Sequence, residues 1–259
     1  MSSGYVPGLA GIPAAESAIS FIDGDQGVLE YRGIPIEELA DGSTFEDTAY
    51  LLLFGTLPHR SELDAWTAEL AEHRAVKYYL VDMIKSLPDG GHPMAMLQAA
   101  AAALGMLYPD REGSPDATHR LTAIRLIAKF PTLVATFHRL REGHDPLPPR
   151  QDLSHAANFL YMLTGTEPDP IATRVMDACL VLHADHTMNA STFTARVIGS
   201  SLADGYAVIS GAVGSLSGPL HGGANEEVLS MLEDIGAPER ARTYLGDKVA
   251  RKQKVMGLG

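Results

Sequence analysis

His221 sits in Gly-Pro-Leu-His-Gly-Gly-Ala-Asn, residues 218–225. Glycines crowd it on the C-terminal side, where a core histidine would have no use for them. The segment that follows, GGANEEVLSMLEDIG, reads as a helix. Val228, Met231, Leu232 and Ile235 form its apolar face, Glu226 and Glu227 lie in its first turn, and Gly236 stops it. His221 therefore precedes a helix N-terminus, whose positive dipole end favours a neutral imidazole by roughly 0.3–1 kcal/mol. A neutral ring can donate a hydrogen bond to a carbonyl oxygen as negative charge develops there. The flanking glycines leave room for a substrate. A second group of polar residues lies upstream in HADHTMNAST: His183, Asp185, His186, Asn189 and Ser191.

Other chemistry is weaker in this pattern. His183-Ala-Asp-His186 could share a helix face toward a metal, but no further cluster at ligand spacing supports it, so no metal site is expected. Ser191 or Ser217 beside His221 would make a serine–histidine pair, yet the Gly-x-Ser-x-Gly elbow is missing. There is no phosphate-binding Walker loop. Gly257-Leu258-Gly259 is at most half of a dinucleotide fingerprint. The basic residues Arg240, Arg242, Lys248, Arg251, Lys252 and Lys254 read as a solvated helix face that could also meet a phosphorylated cofactor.

The elements that must position these residues are almost all helical. ISFIDGDQGVLEYRGI, Ile19 to Ile34, reads as a β-hairpin around Asp-Gly-Asp-Gln-Gly. FEDTAYLLLFG is a helix with an acidic start and Gly55 at its close. SELDAWTAELAEH follows Pro58, with Ser61 and Asp64 as cap candidates. Pro93 opens another helix, and Pro131 should break or kink a long one. GHDPLPPRQDLS, residues 143–154, is a loop within one continuous helical pattern. In IATRVMDACLVLHADH, residues Ile171, Val175, Ala178, Cys179 and Leu182 follow helical spacing, and His186 extends the stripe. That places His186 inward and Cys179 in the core. Small residues between Gly199 and Ser215 imply closely packed helices, within the core or across a subunit interface.

Composition bounds the rest. The 259 residues suit one large or two smaller domains, and 46% hydrophobic against 20% charged residues is an ordinary soluble balance. A net charge of −12 argues against nucleic-acid or anionic-membrane partners. One cysteine forbids an internal disulfide. No signal peptide is evident at MSSGYVPGLAG, and MLQAAAAALGML is too short to span a bilayer, so a cytoplasmic location is expected.

The combination HADH…NAST…GPLHGGAN resembles citrate synthase of the prokaryotic type. So do IDGDQGVLEYRGIPIEELA, SHAANFLYMLTG and the closing KVMGLG, in the same order and over nearly the whole chain. The resemblance implies a mainly α fold: a multi-helix large domain with a short N-terminal β-hairpin (residues 1–222) and the beginning of a smaller helical domain (residues 223–259). It implies condensation of acetyl-CoA with oxaloacetate and water to citrate and CoA, an acyl transfer with acetyl-CoA as co-substrate and no prosthetic group. His221 matches the histidine that hydrogen-bonds the thioester carbonyl as its enolate forms. His186 matches an oxaloacetate-binding histidine, with Asn189 in the same loop. Ser191 matches the residue that orients the catalytic imidazole. Leu220, Val255, Met256, Gly257 and Leu258 match backbone lining the coenzyme A site. The alternatives are 2-methylcitrate synthase, which uses propionyl-CoA, and a non-catalytic dimerisation module. Helices in 190–220 would form a homodimer. Relatives continue past Met-Gly-x-Gly with a second oxaloacetate histidine, the aspartate base and substrate-binding arginines. Their lack in these 259 residues leads to the expectation of a C-terminally truncated, inactive chain.

Overall fold

The computed structural model describes residues 11, 13, 15–109, 114–219 and 221–255. Three short strands come first, β1 (Ser20–Asp23), β2 (Val28–Tyr31) and β3 (Ile34–Pro35), in an antiparallel sheet of order β1-β2-β3. Ser20 pairs with Tyr31 and Asp23 with Val28. The first turn closes because Asp23 Oδ1 accepts from the amides of Asp25 and Gln26, both at 3.0 Å. The second uses two left-handed residues, Arg32 (φ 52°) and Gly33 (φ 81°), which suit a tight hairpin. The hairpin expected from sequence is there; β3 adds to it.

Twelve helices follow among the described residues: α1 (Ile36–Gly42), α2 (Phe45–Phe54), α3 (Arg60–His73), α4 (Tyr78–Lys85), α5 (Pro93–Leu107), α6 (Pro115–Arg141), α7 (His155–Thr164), α8 (Pro170–Leu182), α9 (Ala190–Gly199), α10 (Gly205–Leu216), α11 (Gly223–Ile235) and α12 (Pro238–Ala250). Gly55 ends α2 in a left-handed cap, and Pro93 starts α5, as their positions predict. One expectation needs correction and another is narrowed. Ser61 and Asp64 lie inside α3; His59 precedes it, and Glu62 reaches back to the His59 amide at 2.7 Å. Asp64 instead pairs with Arg60 at 3.0 Å. Pro131 does not break α6. The helix is held on both sides of the proline, where Lys129 Nζ donates to the carbonyls of His73 and Ala75 (2.6 Å each) and Thr132 donates to that of Arg74 (2.8 Å). Packing outweighs the one hydrogen bond that proline forfeits.

The largest apolar cluster joins α4, α5, α6 and α10 through Leu80, Ile84, Met96, Leu104, Leu133 and Tyr206. A second joins the hairpin to α1, α2 and α8 through Tyr31, Ile36, Leu39, Leu51 and Val181. The third gathers Ala49, Trp66, Leu70, Ile124 and Ala128. The small residues of α10 serve this interior. A Cβ on Gly211 would lie 2.1 Å from Ile198 Cδ1, and one on Gly214 would lie 2.4 Å from Gln98 Nε2. Helices α5 and α9 therefore approach α10 closely.

Helix α8 overturns a pattern-based expectation. Ile171, Val175, Cys179 and Leu182 are exposed, while Asp177 and Val181 are buried. Cys179 is not a core residue. The helix buries the opposite face because Asp177 is satisfied there: its Oδ1 accepts from the Phe45 amide at the start of α2, at 3.0 Å. On α11, Ile235 is buried and Val228 and Met231 half-buried, but Leu232 is exposed. Helices α11 and α12 pack on each other. No helix among the described residues is long and apolar enough to cross a membrane.

Candidate active site

After α10 the chain folds back on itself before α11 begins. The amide of His221 donates to Gly218 O (3.0 Å), that of Gly222 to Leu216 O (3.0 Å) and that of Gly223 to Gly218 O (3.3 Å). A Cβ on Gly222 would lie 2.3 Å from Leu216 O. The glycine after His221 is thus required by the protein's own turn before any substrate is considered. His221 stands just ahead of the α11 N-terminus, as the sequence predicts.

The half-buried His221 ring meets the first turn of α9. Its Nε2 is 2.8 Å from Ser191 Oγ and 3.3 Å from the Ser191 amide. That amide is one of the unpaired donors of a helix N-terminus. An amide N–H can only donate, so Nε2 accepts, and the proton of the neutral ring sits on Nδ1. Ser191 Oγ also lies 2.9 Å from Ala212 O, which can only accept, so its single proton is shared between that carbonyl and Nε2, and the Ser191 amide is the contact that assigns the tautomer. Among the described residues Nδ1 has no hydrogen-bond partner. The first turn of α9, whose amide meets Nε2, presents its positive dipole end to this ring, and His221 precedes α11 in the chain. The arrangement is a preorganised donor at Nδ1, suited to an oxygen that gains charge during reaction.

Asn189 caps α9, its Oδ1 accepting from the Thr192 amide at 3.0 Å. Among the described residues its side-chain NH2 has no hydrogen-bond partner. His186 departs from its predicted place. Helix α8 ends at Leu182 with His183 as its cap, so His186 lies beyond the helix and is exposed, not inward. The His183 ring turns back to Cys179 O at 2.7 Å. No group of three or more histidine, cysteine or carboxylate side chains is arranged for a metal among the described residues. Of the residues expected to line a coenzyme A site, Val255 is half-buried at the end of the described chain, and Leu220, Met256, Gly257 and Leu258 lie outside the described residues. Arg240, Arg242 and Lys248 are on α12.

Sequence reasoning missed what holds the His186 loop. Tyr31, fully buried, places its hydroxyl within 3.1 Å of Val181 O and Asp185 O and 3.3 Å of Leu182 O, and 3.2 Å from the Asp185 amide. Burial raises the Tyr31 phenol above its usual value, which keeps it a donor. Ser20 Oγ donates to Asp185 Oδ1, and the Thr187 amide donates to the same carboxylate at 3.0 Å. No local signal announces these partners, which are separated by 150 residues or more along the chain.

A family model described as "Citrate synthase, C-terminal domain" matches residues 8–259. The chain belongs to the citrate synthase family. Citrate synthase of Synechocystis sp. is 56% identical over 255 residues, covering 98% of this chain and 64% of that protein. That of Acidithiobacillus ferridurans is 51% identical over 261 residues, covering 98% and 67%. The crystal structure of citrate synthase from Thermotoga maritima superposes with a TM-score of 0.84 at 40% identity, over 97% of this chain and 66% of that one. The chain spans about two thirds of the length of these citrate synthases.

Proposed function

We propose that this chain carries the enolate-stabilising part of a citrate-forming site, in a reaction that joins acetyl-CoA to oxaloacetate and water and releases citrate and CoA. The observation that carries the reading is the His221–Ser191 contact, which puts the ring proton on Nδ1 and leaves that nitrogen without a hydrogen-bond partner among the described residues. His221 donates from Nδ1 to the thioester oxygen as the enolate forms; Ser191 holds the ring in that tautomer. His186 and the Asn189 NH2 bind oxaloacetate. Leu220 and Val255 to Leu258 line the coenzyme A site, with the basic residues of α12 and beyond toward its phosphates. Residues 223–259 belong to a second, smaller helical domain, and the protein works in the cytoplasm as a homodimer through the 190–220 region. Exposed Phe193, Val197 and Leu202 support the last point.

The test is thiol release from acetyl-CoA that depends on oxaloacetate, measured on the longest polypeptide the reading frame encodes. His221→Ala should lower kcat by about 10²–10³-fold, the usual effect of removing one oxyanion donor. Near-normal turnover would sink the assignment. The ratio of kcat/KM for acetyl-CoA and propionyl-CoA decides the acyl chain, a difference of one methylene.

A further inference from the structure

His186 has an exposed ring but a backbone fixed on both sides. Before it, Asp185 is gripped at three points: its amide lies 3.2 Å and its carbonyl 3.1 Å from Tyr31 Oη, and its carboxylate takes Ser20 Oγ. After it, the Thr187 amide reaches both Ser20 Oγ (3.2 Å) and Asp185 Oδ1 (3.0 Å). Thr187 has φ 53°, a left-handed conformation that a β-branched residue rarely adopts. Such a conformation persists only when its surroundings over-determine it, and it concentrates at sites where geometry matters. Here the surroundings are the N-terminal hairpin: Ser20 on β1 and Tyr31 on β2 are direct register partners. One strand pair thus presents two hydroxyls, side by side, to the two residues that flank His186. The Tyr31 ring is anchored independently, in the apolar cluster with Leu39, Leu51 and Val181. An exposed side chain on a loop needs none of this for stability alone.

We propose that the hairpin is a positioning template for His186, with Tyr31 and Ser20 as positioning residues that set the affinity for a small oxo-dicarboxylate. The proposal rests on the reading of His186 as an oxaloacetate ligand. Tyr31 and Ser20 touch no substrate. They act by holding residues 185–187 in one conformation, so that binding does not have to order the loop.

Tyr31→Phe keeps the ring in its cluster and removes only the hydroxyl. Oxaloacetate affinity should fall about 10-fold, in the range expected when a binding group loses its alignment. Ser20→Ala should act in the same direction. The deciding comparison is a double-mutant cycle. In a His186→Ala background, Tyr31→Phe should cause no further loss of affinity, since the ring it positions is gone. Loss by the same factor in both backgrounds would mean a general structural role and would overturn the proposal. A second readout separates this from failure of the functional reading. In ¹³C-histidine-labelled chain, Tyr31→Phe should shift and broaden the His186 resonance and leave that of His221 in place. If oxaloacetate does not bind the unmodified protein, the functional reading fails, and the His186 resonance still decides the template. An unchanged His186 line overturns it, as do equal changes at His221.

Discussion

At the scale of single residues, the site depends on what Ser191 and Gly222 permit. Ser191→Ala keeps the amide on Nε2 but removes the hydroxyl. One neutral hydrogen bond of this kind is worth about 0.5–1.5 kcal/mol, so kcat should fall roughly 3–10-fold with KM for acetyl-CoA little changed. An equal rise in KM would show that Ser191 serves ground-state binding instead. Gly222→Ala meets backbone, since Leu216 O would lie 2.3 Å from the new Cβ. We expect a loss of about 1–3 kcal/mol in urea unfolding, the range for forced overpacking. His221 and Ser191 were legible in sequence because glycines and a helix start flank the one, and a family motif holds the other. Ala212 was not, since its contribution is a backbone carbonyl and any residue type supplies one.

At the scale of elements, the buried joint between α2, α3 and α7 is where a pH dependence of stability is expected. The Glu46 carboxylate accepts from the His155 amide at 2.7 Å, and Arg74 Nη1 donates to the carbonyls of Arg150 (2.6 Å) and Leu153 (2.8 Å). Burial first, then the nearby Arg74 charge, pull His155 down to about 3 from the usual 6.5. A lowered histidine gives stability that is present above pH 6.5 and lost as pH falls toward 3, with a slope of at most ~1.4 kcal/mol per pH unit. Glu46, raised chiefly by burial, works in the opposite sense. The difference between unfolding free energies of the unmodified protein and His155→Gln should therefore narrow steadily from pH 6.5 to 4.5. A difference constant over that window would contradict the assignment. Element types were readable because helical periodicity, Gly55 and Pro93 are local signals. The orientation of α8 was not, because its apolar stripe is the exposed face and its buried face is fixed by Asp177 at the start of α2. Nor was the end of α8 at Leu182, where the Tyr31 hydroxyl lies against the Val181 and Leu182 carbonyls with one proton to share between them.

At the scale of the whole molecule, the helices after Asn189 divide between the interior and an exposed apolar surface. Helix α10 is spent on α5 and α9, whereas Phe193 and Val197 on α9 and Leu202 beyond it remain exposed. Sedimentation should show a dimer that Val197→Glu shifts toward monomer. A well-folded monomer before any substitution would refute the assembly. The functional account itself turns on where one proton sits. Long-range ¹⁵N spectra of histidine-labelled protein near pH 8 observe this at His221 directly. The account predicts a protonated Nδ1 and a bare Nε2, the form able to donate to a thioester oxygen while Ser191 holds the other nitrogen. A proton on Nε2, with Nδ1 bare, would contradict it.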